Sequence, residues 1–156
     1  MRLVSAILLS IAVALAPLGA QASSPWAGTW RLDIEKSIWN PGPAPYVRGT
    51  WRVEPSGDGL KMIYDLVGTR GGVTHMEWTG RFDGADYALQ GPDAPVTYAY
   101  TQTGERTLSL VVKVDGNIAA LAKIVLAPDG RTLTTETTVN NPRLGQQTTT
   151  TIYEKR

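Results

Sequence analysis

An alternation of apolar and polar residues with a period of two runs through much of this 156-residue chain. In its first occurrence, Trp30, Leu32 and Ile34 alternate with charged neighbours. The pattern recurs in residues 51–54, 75–83, 96–101 and 108–114. Because successive side chains of a strand point to opposite faces, the pattern predicts strands with one face in a core and the other in water.

Turn signals rich in glycine separate these segments. They are Gly57-Asp58-Gly59, Gly71-Gly72, Asp83-Gly84, Asp115-Gly116-Asn117 and Pro128-Asp129-Gly130. Connections this short join antiparallel neighbours, so the chain is predicted to be all-β, an antiparallel meander of about eight to ten strands. Closing the meander into a barrel leaves no exposed edge strands, and we therefore expect a barrel in preference to a sandwich.

Three segments depart from the alternation. Glu35 to Arg48 contains three prolines, which prevent a long helix or a paired strand, so we expect a loop across one end of the sheet. Ile118 to Leu126 is apolar at nearly every position, and its β-branched residues favour a strand buried on both faces over a short helix. The threonine-rich C-terminal third ends in Ile152 and Tyr153, and because threonine favours strands we assign two strands there.

The first residues have the pattern of a secretory signal peptide. Arg2 precedes an almost uninterrupted apolar run from Leu3 to Leu18, and Ala20-Gln21-Ala22 follows as a small-residue cleavage site. The alternative is a membrane anchor, but the run is short for a span and is interrupted by Pro17. We therefore expect residues 1–22 to be removed and residues 23–156 to form a single domain with no membrane span.

The composition limits which cellular compartments and which binding partners are expected for the protein. Without Arg2, the 15 basic side chains become 14, which balance 14 acidic ones. Neither nucleic acid nor an anionic surface is therefore implied as a partner. The chain has no cysteine, which excludes a lipid-modified lipoprotein, thiolate nucleophiles and sulfur-rich metal sites. We expect a periplasmic or secreted protein.

The tetrapeptide Gly-Thr-Trp-Arg occurs twice, at residues 28–31 and 49–52. The flanking sequences diverge after the next residue, which argues against a duplicated unit because repeat folds need several copies at a fixed period. We interpret the copies as two successive strands that each enter the sheet through a glycine. The shared parity predicts that Trp30 and Trp51 face the same core.

The first copy also carries a family resemblance. Gly28-Thr29-Trp30, at the first strand of a β-meander, resembles the GxW motif of the lipocalins and their calycin relatives. Further stretches of the mature chain resemble a group of secreted bacterial lipocalin-like proteins: WAGTWRLDIEKS, PGPAP at 41–45, GDGL at 57–60, THMEWTGRFDGADYAL at 74–89 and IYEK near the end. The resemblance implies a barrel with a small-molecule pocket and supplies no catalytic residue. The chain departs from true lipocalins in lacking a TDY triplet, a disulfide and a C-terminal helix.

Few polar residues are candidates for a catalytic or metal-binding role. His75 is the only histidine, and its parity places it outside the barrel, where a metal or general-base role would lack partners. Asp65 and Glu77 are not placed together by the sequence, so they are interpreted as surface carboxylates. Gly68 to Gly72 lacks the Lys-Ser/Thr pair of a phosphate loop and is interpreted as a hairpin turn. No catalytic residue, metal site or cofactor is predicted.

Inward-facing aromatic and methionine residues are the strongest candidates for binding. They are Trp51, Met62, Tyr64, Met76, Trp78, Phe82, Tyr98 and Tyr100. These side chains either fill the barrel or line a cavity, and their tyrosine hydroxyls need hydrogen-bond partners that a partly wet pocket would supply. We predict binding of a small apolar or aromatic molecule, and the residues predict no particular enzyme activity. The alternatives are an envelope interaction module with a filled barrel and an exposed patch at Trp39 and Tyr46, and a barrel isomerase or cyclase.

Overall fold

Ten antiparallel strands make up the part of the chain that the computed structural model describes, residues 24–156. The strands are β1 Gly28–Ile38, β2 Tyr46–Ser56, β3 Gly59–Gly68, β4 Val73–Gly80, β5 Tyr87–Gln90, β6 Val96–Gly104, β7 Thr107–Val114, β8 Asn117–Leu126, β9 Thr132–Asn141 and β10 Gly145–Lys155. Each strand pairs with its neighbours in sequence, and β1 also pairs with β10. The predicted all-β meander and its closure into a barrel are confirmed. The predicted signal peptide lies outside the described residues.

Short turns hold neighbouring strands in register. Asp115 and Gly116 alone connect β7 to β8, and both have positive φ, at 49° and 78°. Positive φ at both central residues is the backbone of the hairpin turn whose twist matches the flanking strands. Within residues 24–156, no helix is long and apolar enough to cross a membrane.

The two Gly-Thr-Trp-Arg copies lie side by side. Trp30 of β1 and Trp51 of β2 are direct partners in the antiparallel register, and both are buried, which confirms the predicted parity. The second glycine does not begin a strand as predicted, because β2 starts at Tyr46. A Cβ on Gly49 would lie 2.9 Å from Leu32 Cδ2 and 3.0 Å from Leu66 Cδ2. Glycine is therefore needed there for the close approach of those side chains.

The alternation predicted for β1 holds only to its middle. A register shift separates Asp33 from Ile38 in the pairing with β10. At this irregularity, Ser37 turns inward: its hydroxyl donates to the Asp33 carbonyl and accepts the Ile152 amide at 3.0 Å. A bulge of this kind bends the strand and changes which residues face the core.

Two sequence predictions are corrected by the strand assignments. The loop predicted for Glu35 to Arg48 comprises only residues 39–45, because β1 extends to Ile38 and β2 begins at Tyr46. The segment Ile118 to Leu126 is a strand, as predicted, but it is buried on one face only. Ile118 is 65% exposed and Leu121 50% exposed. Every strand of a barrel has an outer face, and here that face carries Ile118 and Leu121 as well as the exposed Lys123.

The barrel has two ends that differ in packing. We call closed end the one with the start of β1, the end of β10 and the connections 57–58, 81–86, 105–106 and 127–131. The open end is the one with the connections 39–45, 69–72, 91–95, 115–116 and 142–144. The closed end is filled by deeply buried side chains, including Trp26, Trp30, Met62, Trp78, Leu108 and Leu133. Trp30 Nε1 also donates to the Trp26 carbonyl at 2.9 Å, which ties the segment before β1 into this core.

Candidate ligand cavity

A cavity of about 310 Å³ occupies the barrel interior toward the open end. It is lined by Leu32, Trp39, Tyr46, Trp51, Tyr64, Leu66, Met76, Tyr98, Tyr100, Leu110, Val112, Ala122, Ile124, Thr135, Thr137, Thr149, Thr151 and Tyr153. These residues are apolar, aromatic or hydroxyl-bearing. We call this space the ligand cavity.

The ligand cavity has an aromatic wall and a threonine wall. The aromatic wall comes from β2, β3 and β6, where Trp51 stacks on Tyr64 with 5.6 Å between ring centroids and an interplanar angle of 22°. The threonine wall comes from β9 and β10, which pair Thr135 with Thr151 and Thr137 with Thr149. Short threonine side chains extend less far into the barrel than tryptophan or tyrosine. The space in front of them therefore stays open.

A chain of hydroxyl hydrogen bonds crosses the aromatic wall. The Tyr64 and Tyr100 hydroxyl oxygens are 2.7 Å apart, and the Tyr64 hydroxyl also donates to Met62 Sδ at 3.2 Å. Either hydroxyl is able to donate in this pair, and when the Tyr64 proton points to Met62 the donor is Tyr100. Burial raises the pKa of Tyr64 well above its ordinary value, and burial likewise raises the pKa of Tyr100. Both groups are therefore neutral at physiological pH.

Three further tyrosines extend this arrangement around the cavity. Burial, and next the nearby Tyr46, raise the pKa of Tyr98, whose hydroxyl has no side-chain hydrogen-bond partner among residues 24–156. Burial raises the pKa of Tyr153 to about 12. The Tyr98 ring lies 6.2 Å from Tyr64 and 6.1 Å from Tyr100 between centroids. We call Tyr46, Tyr64, Tyr98, Tyr100 and Tyr153 the tyrosine cluster.

The residues predicted for binding divide between the two ends. The ligand cavity is lined by Trp51, Tyr64, Met76, Tyr98 and Tyr100. The other three lie at the closed end, away from the cavity lining: Met62 and Trp78 are fully buried, and Phe82 stacks on Trp78 at 6.4 Å. Phe82 lies beyond the end of β4 at Gly80 and packs edge-on against Trp26 at 6.3 Å. The shared parity of these eight residues indicated the inner face but carried no information on depth.

Several lining residues were missed by the sequence analysis. Trp39 and Tyr46, interpreted as a candidate exposed patch, are half-buried and line the cavity, with ring centroids 6.1 Å apart. Loop 39–45 is held by a hydrogen bond from the Thr149 hydroxyl to the Asn40 carbonyl at 3.1 Å. The threonine wall was interpreted only as strand-forming sequence. The sequence feature that could have revealed this wall is the alternation of Thr135 and Thr137 with the same parity as the buried Leu133.

The polar candidates lie on the outer face. His75 is exposed, as its parity predicts, and the register of β3 with β4 places it between two carboxylates. Its Nδ1 is 2.6 Å from Asp65 and its Nε2 is 3.2 Å from Glu77, contacts that raise its pKa, Asp65 more than Glu77. Asp65 and Glu77, which the sequence analysis did not place together, thus both contact His75. Among residues 24–156, no group of three or more metal-ligating side chains is arranged to hold an ion.

The predicted hairpin turn at residues 68–72 is present. The Gly68 amide donates to the Gly72 carbonyl at 2.8 Å, and the Gly71 amide donates to the Gly68 carbonyl at 2.9 Å. These amides are used within the turn and do not point together at a common centre. The segment serves to join β3 to β4 at the open end.

Comparison with known proteins identifies the fold. The chain matches no protein-family model and no curated protein sequence. Its fold is similar to the crystal structure of zebrafish ileal bile acid-binding protein complexed with cholic acid, with a TM-score of 0.54 and 10% sequence identity. The match covers 85% of this chain and 100% of the zebrafish chain. This chain has a calycin-like β-barrel fold.

Proposed function

We propose that this protein binds one small, largely apolar or aromatic molecule in the ligand cavity. The observation that carries the proposal is the unfilled volume of about 310 Å³ between the aromatic and threonine walls. A water molecule takes about 30 Å³ in the liquid, so the space corresponds to a molecule of roughly ten to twenty non-hydrogen atoms. Mostly apolar walls with a few converging polar groups are typical of small-molecule sites.

The neighbouring fold supports the same proposal. The zebrafish protein of similar fold is complexed with cholic acid, so a barrel of this kind has room for an organic molecule. The interaction-module alternative relied on a filled barrel and on exposed Trp39 and Tyr46. In this protein both side chains contact the ligand cavity.

We further propose that the binding domain is exported. The support is the apolar run from Leu3 to Leu18 with its small-residue site at Ala20-Gln21-Ala22, together with the resemblance to secreted bacterial lipocalin-like proteins. Export would place the protein in the periplasm or outside the cell. N-terminal sequencing of exported protein tests this: a start at Ser23 supports it, and recovery of Met1 contradicts it.

The binding proposal is tested with the uncharged aromatic probe N-phenyl-1-naphthylamine. We expect uptake at a single saturable site and quenching of tryptophan emission, because Trp51 lines the cavity. Ala122 on β8 is a small lining residue, and Ala122→Phe places a ring in the space where the probe would bind. We expect this variant to weaken probe binding by at least about tenfold, which corresponds to about 1.4 kcal/mol.

Ala119→Phe on the same strand is the matched control, because Ala119 is exposed. It adds the same ring without filling the ligand cavity, so probe affinity should be unchanged. Circular dichroism and a cooperative melt establish that each variant is folded. A folded wild-type protein that takes up no probe below its aggregation threshold would overturn the proposed function.

A further inference from the structure

We infer that the ligand cavity selects uncharged aromatic molecules that carry a hydroxyl or carbonyl group, and that the tyrosine cluster recognises that group. This inference rests on the proposed function and names the class of ligand. It depends on two observations: the uncharged character of every lining side chain, and the unequal use of the tyrosine hydroxyls.

The first observation concerns charge. No basic side chain is among the residues that line the cavity, and two on the surrounding strands are paired with carboxylates. Lys61 of β3 contacts Glu77 at 2.7 Å, and Lys113 of β7 contacts Asp86 at 2.7 Å. An anionic ligand group placed among the lining residues would lose its water without gaining a counter-charge, which strongly disfavours binding. Uncharged ligands lose less on entering the cavity.

The second observation concerns hydrogen bonding. The Tyr100 oxygen has two lone pairs and its contact with Tyr64 uses at most one of them, so it retains free acceptor capacity. Tyr98, with its ring centroid 6.1 Å from that of Tyr100, has a hydroxyl proton that no side chain among residues 24–156 accepts. A ligand hydroxyl is able to accept from Tyr98 and donate to Tyr100. A ligand carbonyl satisfies the Tyr98 donor alone.

Aromatic character in the ligand follows from the walls. Trp51, Tyr64 and Tyr98 all line the cavity, and aromatic pairs in offset or edge-to-face geometry gain energy beyond simple burial. The threonine wall adds hydroxyl-bearing side chains to the same cavity lining. A flat ring system with one neutral polar group matches both walls.

A matched pair of probes tests the selection against charge. N-phenyl-1-naphthylamine and 8-anilino-1-naphthalenesulfonate share their ring system, and only the second carries a sulfonate. We expect the sulfonate to bind on the order of 100-fold more weakly, because its charge would be desolvated without a partner. Equal affinities would overturn the selection while leaving the proposed function intact. Failure of both probes to bind would overturn both.

A charge inserted into the cavity should reverse the preference. Thr137→Lys places an ammonium group on the threonine wall, and the affinity ratio should shift toward the sulfonate by at least about tenfold. Thr138→Lys, on the next residue of β9 and facing outward, is the control and should leave the ratio unchanged. An unchanged ratio in a folded Thr137→Lys protein, as judged by its melt, would contradict the inference.

The recognition by hydroxyl groups is tested separately with Tyr98→Phe, which retains the ring. 1-Naphthol and naphthalene are titrated as competitors of the uncharged probe. The variant should bind 1-naphthol about 2- to 12-fold more weakly, the range of one neutral hydrogen bond, and naphthalene with unchanged affinity. If 1-naphthol binds both proteins equally, the tyrosine cluster does not recognise the ligand's polar group.

Discussion

The closed end and the open end of this barrel are built from the same strands and the same alternation, yet one is solid and the other hollow. At the closed end, Trp30, Met62 and Trp78 leave no exposed surface. At the open end, Trp51 and Tyr64 stack on one wall while the threonine wall lines another side of the ligand cavity. The difference is one of side-chain size across the barrel, because the ring of strands is continuous.

This contrast also separates stability from function. Fully buried large side chains contribute most of the hydrophobic stabilisation, since their removal leaves a cavity that relaxes only in part. Side chains that already border a cavity have less packing to lose. The closed end should therefore determine whether the protein folds, and the open end should determine what it binds.

The largest expected effect is at Trp30, at the closed end. Trp30→Ala should lower the free energy of unfolding by about 3–5 kcal/mol, because the indole is fully buried and its Nε1 donates to the Trp26 carbonyl. Arg31→Ala, on the exposed face of the same strand, should have little effect. Urea denaturation measures both. Similar losses in the two variants would contradict the packing described for the closed end.

The two methionines offer a direct comparison of the ends. Met62→Ala should cost about 2–5 kcal/mol, the range for a fully buried methionine. Met76→Ala should cost clearly less, because Met76 borders existing empty space. The same truncation is thus made at both ends and followed by chemical denaturation. If Met76→Ala is the more damaging, the open end is packed and the comparison fails.

Loop 39–45 should affect exchange at the open end more than it affects folding. Replacing residues 41–45 by glycine and serine at the same length removes three prolines and should cost about 1–3 kcal/mol, from the usual gain of 0.4–1 kcal/mol per favourable proline. Probe association and dissociation should accelerate several-fold in stopped-flow measurements, because Trp39 and Tyr46 lose their rigid connection. Reduced stability with unchanged exchange rates would make the loop a structural strap.

The smallest expected effect is at His75 on the outer face. Contacts with Asp65 first and Glu77 second raise its pKa in the folded protein above the unfolded value of 6.5. The resulting stabilisation is complete below the unfolded pKa and is lost as pH rises through the folded pKa. The melting temperature of wild type should therefore exceed that of His75→Gln more at about pH 6 than at about pH 8. A difference that grows with pH would contradict the assigned contacts.

The sequence was sufficient to predict the fold but not to predict which residues line the cavity. Alternation correctly placed Trp30 and Trp51 on one inner face, and glycine-rich turns predicted antiparallel neighbours. Alternation does not report the distance along the barrel axis, so Tyr64 at the cavity and Trp78 at the closed end had the same pattern. It also does not reveal what lies opposite a residue, because that depends on closure between strands far apart in sequence.

Thr135 and the exposed Leu121 illustrate the same limit of prediction from the alternation. The run that contains Thr135 has the composition of any strand, and its role in leaving space becomes evident only once the barrel is closed. Leu121 lies in a nearly continuous apolar segment, for which burial on both faces is the usual expectation. A closed barrel gives each strand an outer face whatever its composition.

The pairing of β1 with β10 determines when, relative to synthesis of the chain, the barrel is able to close. Trp30 of β1 lies opposite Lys155 of β10 in the register. The barrel therefore closes only after β10 has been synthesised. Contacts of such long sequence separation slow folding, because the entropy of loop closure is lost before the pairing is gained. No shorter N-terminal portion of the described chain contains both closing strands. Until β10 has been made, β1 lacks one of its two strand partners and the barrel has an open edge.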